Sequence, residues 1–244
     1  MKLTFKEHFR LVYFLFGTFS FISFSSVGQG KNWNISFGSN ITSYNYISKK
    51  GLAVDYLKPS SGLSFAMGFD KIIIDSMAIM GQSSSSSQFF WSHKTLAKIL
   101  TQMEWGAKVT LNQFNAVGDF QNMAFDYQTN YLGVQVGIGT FQNLGKDWTI
   151  RLKGYLAPQY LVQGNQRLNE STGVSYYDLR NDNSFKNTQV FLGYGITLEK
   201  QIKDQLSFFM EACNQRTFKG RKDGEVSLNF NATQLNFGIK IFTY

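Results

Sequence analysis

Cysteine, histidine and proline are nearly missing from this chain, and charge is thin. The one cysteine, Cys213, rules out an internal disulfide and any cysteine-built metal site. With two histidines and carboxylates dispersed along the chain, no metal-ligand set can be assembled, so no metal and no cofactor is expected. The glycines recur at strand spacing and open no helix, which leaves no phosphate-cradling loop. Charged residues make up 16% of the chain, and the formal charge of +8 falls to +6 once Lys2, Lys6, Arg10 and Glu7 are set aside with the first 28 residues. That modest excess, part of it expected to be paired internally, does not point to nucleic acid.

What is abundant is aromatic surface. Phenylalanine alone contributes 24 residues against two prolines, and so much aromatic area needs either a large core or lipid to cover it. A mean hydropathy of -0.20 excludes a polytopic helical membrane protein but not an alternating barrel, whose strands average to near zero.

The stretch from Tyr131 to Phe141 shows the alternation most openly. Leu132, Val134, Val136 and Ile138 share one parity, while Gly133, Gln135, Gly137 and Gly139 share the other. Only a β-strand uses a period of two. The bare side suits a crowded or wet interior better than a solvated sheet face. The same pattern recurs in Trp33 to Thr42, Leu63 to Asp70, Met103 to Gln113, Trp148 to Tyr160, Val190 to Glu199, Leu206 to Cys213 and Gln234 to Tyr244. The expected fold is therefore all-β: a closed antiparallel transmembrane β-barrel of about eight strands, with ten possible.

Residues 1–28 have the layout of a cleaved signal peptide, with Lys2, Lys6 and Arg10 ahead of an apolar run from Leu11 to Ile22 and small residues at Ser26 and Gly28. The barrel domain is then 29–244, and 71–100 reads as an irregular insertion within it. Short connections are expected at Asn143 to Asp147 and Ile202 to Gln205. Long ones are expected at Ser48 to Ser60, Phe114 to Asn130, Gln163 to Asn187 and Arg216 to Glu225. Long loops outside and short turns in the periplasm are the asymmetry of outer-membrane barrels, which places the chain in a Gram-negative outer membrane, although the 71–100 insertion breaks the rule, because an eight-strand count puts it on the periplasmic side.

The segments Leu111-Asn112-Gln113-Phe114-Asn115 and Thr129-Asn130-Tyr131-Leu132-Gly133, with an aromatic-ended final strand from Gln234 to Tyr244, make the chain similar to small Bacteroidetes-type outer-membrane barrels of the PorT-like and OmpA-membrane-domain-like group. Within the last strand Asn236, Gly238 and Ile241 resemble the signal read by barrel-assembly machinery, from which Thr243 departs. The resemblance implies a lipid-embedded barrel and no particular activity.

Inward parity collects Asp70, Glu104, Glu199 and Glu211 against Lys108, Arg151, Lys153 and Lys240. Four acids facing four bases in a narrow lumen are expected to pair and plug it. Tyr44, Tyr46, Tyr56, Tyr127, Tyr176 and Tyr177 are expected at the outer rim, anchoring in headgroups or contacting a partner. The expected role is non-enzymatic: an accessory or partner-binding component of an envelope complex, touching outer-membrane lipid, the assembly machinery and another envelope protein. A narrow solute-transport or ligand-binding barrel is one alternative. A lipid-modifying enzyme is the other, built on His93 with the serine run Ser83 to Ser87 nearby.

Overall fold

A computed structural model describes residues 32–47, 56–73, 102–120, 123–170, 173–182, 185, 187–217 and 227–243. The signal-peptide reading of 1–28, most of the 71–100 insertion, Ser83 to Ser87 and His93 lie outside them. The described elements are β1 (Asn32–Ile47), β2 (Leu57–Ile72), β3 (Met103–Phe120), β4 (Met123–Gly145), β5 (Trp148–Glu170), β6 (Gly173–Asp178), a single 3-10 turn (Leu179–Asn181), β7 (Thr188–Lys203), β8 (Leu206–Thr217) and β9 (Ser227–Phe242).

Alternation forces these strands to bury one face, and closure lets them do so without leaving an open edge. Eight strands close antiparallel in the order β1-β2-β3-β4-β5-β7-β8-β9, with β9 returning to β1, while β6 pairs only with the far end of β5. No tenth strand enters the ring, because β2 pairs directly with β3 and Ile73 N–H donates to Met103 O across their shared end.

The β4–β5 connection is a two-residue turn, Lys146-Asp147, with both residues at positive φ. That turn matches the strand twist. It lies at the same end as the β7–β8 turn, Asn32 and Phe242. The long β2–β3 connection leaves from that end as well, since Ile72 pairs with Glu104 there, whereas the tight β3–β4 and β5–β6 joins lie at the opposite end, so connection length does not by itself separate the two ends.

Two expected loops are largely strand, and a third is entered by strand at its end. The segment Phe114 to Asn130 forms the upper halves of β3 and β4, joined tightly between Phe120 and Met123. In place of a polar loop from Gln163, β5 runs on to Glu170 and turns back as β6. β2 also starts early, at Leu57 rather than after Ser60.

The extensions change character along the barrel axis. Toward the short turns, Ile35, Phe37, Phe65, Leu152, Ile196 and Phe237 project outward and are exposed, whereas Asp70, Glu104, Arg151 and Lys240 are buried inside. Toward the loops, Asp119, Gln128, Asn165, Arg167 and Asn231 are on the outside, and Tyr44, Phe114, Tyr131, Phe191 and Phe230 are packed within. The lower storey is inside-out and the upper storey has the polarity of a water-soluble barrel.

Asn130–Gln163 and Asn214–Asn231 side-chain hydrogen bonds, both 3.2 Å, cross the outer surface where the change occurs. Below this line Trp33–Ile41 and Met103–Leu111 run for nine residues each, the length a tilted strand needs to cross a hydrocarbon core. Phe69 departs from its neighbours. Although outward by parity it is buried, flanked edge-on by Trp33 at 6.0 Å and Trp105 at 5.3 Å between ring centroids.

Gly193 is the position where a missing side chain decides the interior packing. Any Cβ there would overlap the ring of Tyr155, which lies across it from β5. Gly193→Ala is expected to destabilise the barrel by about 1–3 kcal/mol through overpacking. Urea denaturation followed by tryptophan fluorescence measures this, and an unchanged midpoint would mean that the ring has room to move.

Candidate functional site: the closed lumen and the protruding rim

The lumen is filled in three layers. At the short-turn end, six charges form a closed alternating ring. Arg151 bridges Glu104 and Glu199, reaching the latter at 2.8 Å. Lys240 joins Glu199 at 3.3 Å to Asp70 at 3.1 Å, and Lys153 joins Asp70 at 2.7 Å back to Glu104 at 2.8 Å. The last contact is ionic rather than a directed hydrogen bond.

Asn34, which the charge reading passed over, donates to Asp70 at 3.0 Å and occupies another of its lone pairs. Above the ring, Lys108 and Glu211 make a separate buried pair at 3.4 Å, with Thr197 donating to the same carboxylate at 3.4 Å. All eight charges selected by parity thus face the lumen, drawn from β2, β3, β5, β7, β8 and β9.

The middle layer is uncharged and polar. Gln234 donates to Asn112 at 3.1 Å, and Asn112 donates to Gln159 at 3.3 Å, so three strands are tied across the bore by amides. Cys213 donates to Gln234 at 3.4 Å and is buried, a small filler in this layer. Voids of about 10 Å³ lie on either side of the Lys108–Glu211 pair, each with room for about one water molecule.

The upper layer is an aromatic plug. Phe230 packs edge-on to Tyr44 at 4.7 Å and lies 5.9 Å from Phe114, 5.8 Å from Tyr131 and 6.2 Å from Phe191. From the β6–β7 connection Phe185 closes over it, stacked on Tyr127 at 6.0 Å and edge-on to Tyr44 at 6.1 Å. Leu179, on the 3-10 turn, is buried beside Leu161 and Gly164. Parity already marked Phe191 as inward. Phe114 falls in a segment expected as a loop, and Phe230 lies between the expected Arg216 to Glu225 loop and a last strand expected to begin only at Gln234, whereas β9 starts at Ser227.

The tyrosines divide. Tyr44 is not at a lipid interface: it is 3% exposed inside the plug, and both it and Thr129 donate to Phe114 O at 2.8 Å. β1 continues in phase to Ile47, and that carries Tyr44 inward. Tyr127 and Tyr46 are also packed against the plug, with Gln166 donating to the Tyr127 hydroxyl at 3.1 Å. Tyr56 leans on Phe125, 5.8 Å away.

Only Tyr176 and Tyr177, 72% and 53% exposed on β6, stand at the outer surface. Beyond β6, Asp178 caps the 3-10 turn and grips Arg180, whose hydrogen bonds hold the carboxyl below its ordinary range. Among the described residues no strand pairs with the outer edge of β6.

A scan against protein-family models gives no match, and no curated protein is similar in sequence. Solved structures resemble the chain loosely. The attachment invasion locus protein Ail of Yersinia pestis, solved with the heparin analogue sucrose octasulfate, is 13% identical over 87% of this chain and 99% of its own, with a TM-score of 0.40. Neisserial surface protein A is 9% identical over 86% and 96%, with a TM-score of 0.39. The N-terminal β-barrel domain of Pseudomonas aeruginosa OprF is 11% identical over 89% and 100%, with a TM-score of 0.35. At these scores the fold assignment rests on the chain's own strand pairing.

Chemically, the lumen is occupied rather than receptive. Each of the four interior carboxylates is engaged by a base, and among the described residues no three histidine, cysteine or acidic side chains gather to hold a metal.

Proposed function

We propose that this chain is an outer-membrane barrel that conducts nothing and catalyses nothing, and that binds another envelope protein through its protruding end. The observation that carries this reading is the double closure of the bore, by a charge ring below and an aromatic plug above. Membrane residence is supported by the inside-out lower storey, since a belt of exposed Ile, Leu and Phe around a charged interior is stable only where lipid replaces water. The outer membrane, assembly by its barrel machinery and kinship with the Bacteroidetes-type group belong to the same proposal, on the terminal strand and the segments already quoted.

The β6 strand is the favoured contact. Val174, Tyr176 and Tyr177 are exposed on a strand without lysine or proline, the residues that usually blunt an edge. Aromatic side chains beside an open ladder suit an extended partner segment.

Two measurements test the proposal. In planar bilayers the purified chain is expected to give no discrete conductance, and steady single-channel steps would favour the transport reading instead. In mild detergent a tagged copy is expected to retain one partner stoichiometrically, and Tyr176→Ala with Tyr177→Ala to lose it. Retention by the double variant would remove β6 from the interface. For the enzyme alternative, lipid profiles of cells carrying the native chain and His93→Ala are expected to coincide.

A further inference from the structure

The outward surface carries a second feature, at the opposite end from β6. Where the β4–β5 turn meets β7, a groove of about 370 Å³ opens outward, lined by Leu144, Gly145, Lys146, Trp148 and Leu198. Its walls are apolar and continue the belt above, with Leu144 and Trp148 both exposed. Its lower edge is basic. Lys200 Nζ sits 5.3 Å from the Trp148 ring centroid and donates to Lys146 O at 2.6 Å, which holds the ammonium at the mouth of the groove. Lys203 follows on the same strand, and Asp147 and Asp204 are the acids nearby in the two turns.

We propose that this groove is a binding site for one anionic phospholipid of the leaflet at the short-turn end. An acyl chain would lie along Leu144, Trp148 and Leu198, with the phosphate against Lys146 and Lys200. Two features select this occupant. The groove is continuous with the apolar belt, so a chain enters it without crossing water. Two lysines, Lys146 and Lys200, border its polar edge, with Lys203 further along β7, at the depth where headgroups lie and tryptophan settles.

A lysine ammonium has three donors. Lys200 commits one to the Lys146 carbonyl, and its contact with Asp147, at 3.5 Å, is long. Asp147 opposes the phosphate, which gives the site a sign that can be tested. The inference rests on the outward face being lipid-covered.

The experiment uses the full chain with Trp33, Trp91 and Trp105 replaced by phenylalanine, leaving Trp148 as the sole tryptophan. It is placed in vesicles of phosphatidylcholine and phosphatidylglycerol, with one or the other brominated. Brominated phosphatidylglycerol is expected to quench Trp148 about fivefold more effectively per molecule than brominated phosphatidylcholine, the preference one well-placed lysine confers. Lys146→Asn, which tolerates the left-handed backbone of that turn, is expected to reduce the preference, and Asp147→Asn to raise it. Free inorganic phosphate at millimolar concentration is expected to leave it unchanged. Equal quenching by the two lipids, or a preference that Lys146→Asn does not move, would overturn the site while leaving the membrane reading intact. Absence of quenching by either lipid in the compact, folded protein would overturn both.

Discussion

Arg151→Met is expected to lower the unfolding free energy by about 3–5 kcal/mol, the cost of removing one partner from a buried ion pair. Arg151 is the one link between Glu104 and Glu199, and its loss opens the ring and leaves the lumen with more acids than bases. Lys153 and Lys240 still touch those acids but are also shared with Asp70. A double replacement behaves differently. Lys108→Met with Glu211→Met removes a pair that shares no salt bridge with the ring and fills its space with apolar side chains, which is expected to be close to neutral, the long Thr197 contact being the one hydrogen bond lost with it. Lys108→Met alone is expected to cost several times more than the double variant, because it strands Glu211. Urea titration of the folded barrel in detergent, with the compact gel band as a second readout, measures all three. If Arg151→Met lost less than about 1 kcal/mol, water rather than arginine would be satisfying the two glutamates, and the lower seal would be wetter than its geometry indicates.

The parity of side chains was legible along most of the lower storey, because a single period of two places apolar residues out and polar residues in. Asp70, Glu104, Arg151 and Glu199 could be assigned inward from that alone. Their partners could not. Asp70 and Lys240 meet across β1, and Arg151 and Glu104 meet across β4, so each pair depends on the register and stagger of a closed sheet rather than on spacing in the chain.

The upper storey was misread for a specific reason. Moving from Leu111 to Phe114, or from Ile41 to Tyr44, the apolar positions jump by an odd number of residues and change face. An inverted phase looks like the end of a strand to any reading that follows one apolar parity. On the proposed membrane reading it marks the edge of the lipid. The signal was nonetheless present: alternation continues through Tyr44 to Tyr46, Phe114 to Gly118 and Tyr127 to Tyr131 with the faces exchanged. Phe185 had no such signal, since it enters the plug from outside any strand.

Phe230→Ala is expected to remove about 3–5 kcal/mol as well, but from a different part of the molecule. The ring is 1% exposed and lies within 6.2 Å of Tyr44, Phe114, Tyr131 and Phe191, so truncation leaves a cavity lined by four aromatic rings. None of these rings touches lipid on this reading. The upper storey is held together as a soluble protein is, by its own apolar core, while the lower storey is held by the charge ring and, on the proposed reading, by surrounding acyl chains. The loss is therefore expected to appear as local opening: faster proteolysis and amide exchange in the β3–β4 and β5–β6 hairpins, with the compact gel band retained. Conductance separates the two seals. Phe114→Ala with Phe230→Ala unplugs the loop end yet is expected to remain electrically silent, because the ring of Asp70, Glu104, Arg151, Lys153, Glu199 and Lys240 still closes the bore. Channel steps from that variant would show that the charged layer is not a barrier by itself, and would move the whole burden of closure onto the aromatic plug.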